Sequence, residues 1–258
     1  MQTRDCLLRK YKEVLKENYN GIDYHIAVIT NNNAKKDGIL LVGLNPAGTP
    51  YGEPRKGEDI RESIEYKECG GQFWDPKHEM LGLDKYDQKC GYIDLFPIRN
   101  GNQDEVKEYL DARNNQMNKT MGQLLRITQQ YIEYLHPRLI IFANSLDGLW
   151  GLRKKKEKGL NNYTNVWMGY EFEEIQSEEK PLKGDKACWH YYRITGIFPS
   201  GVNDNAKETK LNGTYFLRYR QHKTKYGSVP ANKKITPLDI QTIVEWIDPE
   251  WAKTLLLR

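Results

Sequence analysis

Asn45 and Ser200 are the residues whose settings first suggest chemistry. Asn45 lies in Gly43-Leu44-Asn45-Pro46-Ala47-Gly48, directly after the apolar run Ile39-Leu40-Leu41-Val42, and Ser200 lies in Phe198-Pro199-Ser200-Gly201-Val202-Asn203, after a second apolar run. Apolar residues followed by glycine, asparagine and proline predict a buried strand that breaks into a tight loop. In an open α/β sheet the carboxyl ends of strands are where ligands bind. The groups offered there are an amide, a hydroxyl and backbone N–H. An amide cannot take a proton as a carboxylate can, so such a site would work by positioning. Asn45 has a second reading, as a turn residue bonding its own backbone.

Four segments must position these loops: 39–42, 92–96, 139–143 and 192–198. Each has the near-continuous apolar character of a parallel strand buried on both faces. Helical spacing predicts a helix over 3–20, with Leu7, Leu8, Tyr11, Val14 and Leu15 on one face. It predicts another from about 104 to 135, built on Met117, Met121, Leu124, Leu125, Thr128, Tyr131, Ile132 and Leu135. His136-Pro137 ends that helix. Ser145 suits an N-cap, and Thr236-Pro237 opens a last helix as cap and first residue. Strands alternating with helices predict an α/β fold, a parallel sheet with helices on both faces. We expect one domain over 1–258, with an insertion at 151–190 carrying short strands near 166–175 and a C-terminal helical extension at 233–258.

The 258 residues are enough for a sizeable core, because a chain of this length buries roughly 70–75% of its unfolded surface. The net charge of +4 permits nucleic-acid binding without demanding it. Two basic runs, 153–158 and 218–226, read as solvated surface or, for the second with its tyrosines, as a strand-tracking face. Cys6, Cys69, Cys90 and Cys188 form no C-x-x-C pair, which argues against zinc or iron–sulfur sites. A charged N-terminus and the lack of a long apolar run predict a soluble, cytoplasmic chain with reduced thiols.

Five short motifs in order give the chain a resemblance to the uracil-DNA glycosylase superfamily, nearest its mismatch-specific (thymine/uracil) and single-strand-selective branches. They are Gly43-Leu44-Asn45-Pro46-Ala47-Gly48, Gly70-Gly71-Gln72-Phe73-Trp74, Asp94-Leu95-Phe96-Pro97-Ile98-Arg99-Asn100, His136-Pro137-Arg138 and Phe198-Pro199-Ser200-Gly201, together spanning 38 to about 205. The resemblance implies a three-layer α/β/α fold around a central four-stranded parallel sheet. It also implies a monomeric enzyme that flips uracil or a related base out of single-stranded or mismatched DNA and hydrolyses its N-glycosidic bond without metal or cofactor.

On that resemblance Asn45 holds the water through its side-chain carbonyl, while Ser200 and Gly201 face the charge that grows on the departing base. One such donor is worth roughly 2.7–4 kcal/mol. Gly43, Leu44, Phe73, Asn144 and Phe198 would surround the base. Phe73 is the stacking candidate, with Trp74 or Tyr51 as substitutes, and Asn144 would read the base edge. The alternatives are that Phe73 and Trp74 pack the sheet and that Asn144 caps a helix. Val202 and Asn203 would enter the duplex, and Lys207 and Lys210 would meet phosphates. Superfamily members carry histidine or asparagine where this chain has Phe198, which cannot donate. The nearest upstream histidine, His190, lies eight residues away, about 26 Å if the segment is extended. Two other readings stand beside the enzyme: an inactive or repurposed member that binds nucleic acid or a free base, and an unrelated nucleotide-binding protein. The second would carry a G-x-G-x-x-G loop or a P-loop, and neither occurs.

Overall fold

Apolar alternation along the strands builds two cores, one on each side of a sheet. In strand β2 (Ile39–Gly43) the side chains of Leu40 and Val42 enter one core, and those of Ile39 and Leu41 enter the other. The period of two dictates that division. The computed structural model describes residues 3–18, 25–31, 36–46, 61–70, 74–82, 90–100, 103–110, 115–142, 146–152, 166–198, 202, 208–219 and 229–256.

Strands β4 (Cys90–Asp94), β5 (Leu139–Phe142), β6 (Tyr170–Glu174), β7 (His190–Ile197) and β8 (Tyr215–Arg218) join β2 in a six-stranded sheet of order β4-β2-β5-β8-β7-β6. Pairing is parallel from β4 through β2 and β5 to β8, then antiparallel from β8 to β7 and from β7 to β6. Two short strands, β1 (Val28–Thr30) and β3 (Ser63–Glu65), pair in parallel as a separate ladder. Helices α1 (Arg4–Asn18), α3 (Gln103–Tyr109) and α4 (Asn115–Leu135) pack on the Leu40 side. Helices α2 (Asp75–Leu81), α5 (Pro237–Ile247) and α6 (Pro249–Leu256) pack on the Ile39 side.

The architecture is therefore mixed α/β with a mostly parallel sheet, and it corrects two sequence expectations. The sheet has six strands rather than four, and 192–198 is not its fourth parallel strand. That segment lies in β7, which runs antiparallel; the fourth parallel strand is β8. Exposed Arg193 and Thr195 alternate with buried neighbours in β7, the mark of an antiparallel strand with one wet face. The 166–175 region supplies β6, so part of the expected insertion is the edge of the main sheet. The helix expected over 104–135 is two helices. At α5 the predicted start is met by a capping box: Thr236 Oγ1 accepts from Asp239 N, and the Asp239 carboxylate accepts from Thr236 N.

The β6–β7 ribbon folds back on itself. Pairing slips between Glu171 and Phe172, a bulge that bends the strand. Beyond it, Phe198 N donates to Gly169 O and Val202 N to Trp167 O, while the Val202 side chain packs on Gly122 of α4. Helix α4 runs opposite to β2, since its last residue, Leu135, accepts from Asp37 N just before β2. Thr128 Oγ1 donates to Leu95 O at the carboxyl end of β4. Gly122 lies six residues nearer the start of the helix, about 9 Å further past the strand ends. The segment after β7 thus returns to the carboxyl-end side of the sheet, although β7 itself runs the other way. Among the described residues no helix is long and apolar enough to cross a membrane.

Candidate functional site at the carboxyl ends of β2 and β4

The end of β2 is tied to the loop that follows β4. Leu95 N donates to Gly43 O, Phe96 N to Leu44 O and Asn100 N to Pro46 O. Asn45 completes the connection through its side chain. Its Nδ2 donates to Asn100 O at 2.8 Å, Pro46 O at 3.0 Å and Ile98 O at 3.3 Å. Three carbonyls around one atom identify it as the amide nitrogen and so fix the orientation of the group. Both readings of Asn45 therefore hold at once: it closes the turn, and its half-buried amide carbonyl is aimed by that closure.

Gly43 faces Asp94 directly in the β2–β4 register. A Cβ at Gly43 would overlap the Tyr92 hydroxyl and the Asp94 carboxylate, so the backbone can approach only as glycine. The Tyr92 hydroxyl donates to Asp94 Oδ1 at 2.6 Å. Asp94 is 4% exposed, and its carboxyl is pushed up to about 7 by burial, against the pull of the Tyr92 hydrogen bond and the charges of Lys77 and Arg99. Lys77, 2% exposed, projects from α2 with its ammonium 4.6 Å from the Trp74 ring centre, and burial holds its amine well below the usual lysine range. Tyr66 stacks on Tyr92 at 5.0 Å, and Trp74 meets Tyr92 edge-on at 4.9 Å. This arrangement of Asp94, Tyr92, Lys77 and Tyr66 was missed from sequence. Its one visible signal was an acid at the end of the apolar run Gly91-Tyr92-Ile93-Asp94.

The other predicted site residues fall in several places. Leu44 gives its side chain to the α4-side core. Trp74 packs against Tyr66 and Tyr92, in line with the packing alternative. Phe198 is 36% exposed, with its ring 6.4 Å from that of Trp167, and its own N–H is spent on Gly169 O. Val202 is buried, so entry into a duplex would first pull it from the core. Lys210 is exposed, with its N–H on Glu133 Oε2 near the end of α4. That contact puts Lys210 at the amino-end side of the sheet, away from Asn45. Phe73, Asn144, Ser200, Gly201, Asn203 and Lys207 lie outside the described residues, as do Tyr51 and the basic run 153–158. The His136-Pro137-Arg138 turn is structural: Arg138 Nη1 meets Asp248 Oδ2 at 2.5 Å and its guanidinium covers the Trp251 ring. Among the described residues no group of His, Cys, Asp and Glu could hold a metal ion.

Compared with known proteins, the chain matches no family model, no curated protein and no solved structure.

Proposed function

We propose that the chain is a DNA base-excision glycosylase of the asparagine type, hydrolysing the N-glycosidic bond of uracil or a related base flipped from single-stranded or mismatched DNA. The observation that carries this reading is the Asn45 amide. Its nitrogen is fully engaged by backbone carbonyls, which leaves its carbonyl oxygen pre-aimed to accept from a water. Holding that water against the sugar carbon as positive charge grows there is catalysis by positioning, and it needs no metal or cofactor. The four parallel strands β4-β2-β5-β8, with helices on both faces, support a three-layer arrangement of the superfamily's kind inside the larger sheet. The return of the 198–202 segment to the carboxyl-end side supports convergence of the two loops. With the Phe198 N–H already committed, charge on the departing base falls to the Ser200 and Gly201 groups.

A second reading, a repurposed member that binds nucleic acid or a free base without cleaving, is favoured by one observation. Phe198 offers neither a side-chain nor a backbone donor. The deciding experiment is base release from labelled oligonucleotides carrying uracil, single-stranded and opposite guanine. Release that disappears in Asn45→Ala supports the glycosylase. Oligonucleotide binding without release, by the folded wild-type chain, supports the repurposed pocket.

A further inference from the structure

Asp94 is the only acidic side chain that is fully buried among the described residues. Tyr92 fixes one of its oxygens, and the other, Oδ2, is buried with no hydrogen-bond partner among the described residues. Buried polar atoms are nearly always paired, so an orphaned carboxyl oxygen at a strand's carboxyl end marks a position that a ligand completes. The neighbouring strand end carries Asn45, and glycine at position 43 keeps the space between them free of side-chain carbon.

We infer that Asp94 reads the edge of a base held at the Asn45 loop, accepting from an amino or ring N–H when ionised and donating to a carbonyl when protonated. This rests on the proposed reading of that loop as base-binding. A carboxyl group is the one side chain that exchanges these two patterns by moving a single proton. Tyr92 on the same strand, Tyr66 and Cys69 after β3, Lys77 and His78 on α2, Cys90, Arg99 after β4 and Tyr11 on α1 are the titratable or charged groups around it. Burial opposes the ionised form, while Tyr92, Lys77 and Arg99 favour it, so the exchange falls near neutral pH. The ligand class follows: a carbonyl-edged base such as uracil at lower pH, and an amino-edged base such as cytosine at higher pH.

The test is calorimetric or NMR titration of the full chain with free uracil and free cytosine between pH 6 and 8. For a group titrating near 7 the protonated fraction changes about tenfold over that range, so uracil affinity falls by about that factor while cytosine affinity rises. Asp94→Asn, which cannot ionise, binds uracil with a flat profile. Tyr92→Phe removes a hydrogen bond that favours the carboxylate and moves the profile to higher pH. Flat wild-type profiles, or an Asp94→Asn profile that titrates like wild type, would overturn the inference. Uracil release from oligonucleotides with flat profiles would sink the role of Asp94 alone; no release and no binding of either base would sink the base-binding reading with it.

Discussion

Asn45 Nδ2 lies 2.8 Å from the carbonyl oxygen of Asn100, and this single contact joins the ends of two neighbouring strands through a side chain. The same amide nitrogen reaches Pro46 O and Ile98 O, so the loop and the candidate water-holding group form one rigid unit. Replacing the donor with an acceptor should be costly. Asn45→Asp sets a carboxylate against three carbonyls, and an unsatisfied or opposed polar group of this kind costs about 1–3 kcal/mol. Urea unfolding should show a lower midpoint at pH 8. An unchanged midpoint would mean the three contacts do not hold the loop.

Gly43→Ala should destabilise by about 1–3 kcal/mol, because the new methyl meets the Tyr92 hydroxyl and the Asp94 carboxylate. Combining it with Tyr92→Phe removes one of the two overlapping atoms. The double variant should then lose less than the sum of the single ones, the non-additivity expected of residues in contact.

Asp94 makes stability depend on pH in an unusual direction. An aspartate in an unfolded chain titrates near 3.9, whereas this one is held near 7 in the fold. Between those values the folded chain binds the extra proton. The Asp94 contribution to stability is therefore full below about pH 4, declines as pH rises to about 7, and is level beyond. Its size is on the order of 4 kcal/mol by the usual 1.4 kcal/mol per unit. Asp94→Asn should remove this decline, which unfolding midpoints at pH 5 and pH 8 will reveal as a difference between the two chains.

Phe198→Asn should speed base release if the chain cleaves DNA as proposed. The half-exposed ring can be replaced at little structural cost, and a well-placed donor to the departing base is worth up to roughly a hundredfold. Single-turnover rates on uracil-containing oligonucleotides measure it. A rate no higher than wild type would show that donors elsewhere already serve the base.

Arg138 and Asp248 tie the turn before β5 to the start of α6. Both side chains are more than a third exposed, so Arg138→Ala should cost no more than about 1 kcal/mol through lost charge pairing. Trp251 beneath it is buried in the core, and Trp251→Ala should cost about 3–5 kcal/mol. Thermal unfolding of the two variants gives the comparison.

The parts of the fold visible in the sequence were those with strong periodicity. Ile39-Leu40-Leu41-Val42 and Leu139-Ile140-Ile141-Phe142 are apolar at every position and became central parallel strands. Thr236-Pro237 with Asp239 announced a helix start through local chemistry alone. What escaped were elements defined by partners distant in sequence. Tyr215-Phe216-Leu217-Arg218 is too short to stand out, yet it is the strand on which the antiparallel ribbon builds. The direction of β7 depends on β8, and no local pattern fixes it. At the site, Asn45 was marked by its loop. Lys77 was not, because nothing in Asp75-Pro76-Lys77-His78 signals that its lysine would be buried against Trp74 and near a carboxylate.

The folded β6–β7 ribbon leaves β6 as the outer rim of the sheet, where its outward backbone groups could template pairing with another chain. Tyr170-Glu171-Phe172-Glu173-Glu174 places three glutamates along that rim. Glu173 and Glu174 are partnered across the ribbon by Arg193 and His190. A second copy aligned there would bring like charges together and meet a strand already bent by its bulge. The opposite rim, β4, is bordered by β1 and by the bridge from Ile26 to Ile98. One end of the sheet is thus shielded by chain and the other by charge and curvature, a division of labour that guards the protein against edge-to-edge polymerisation.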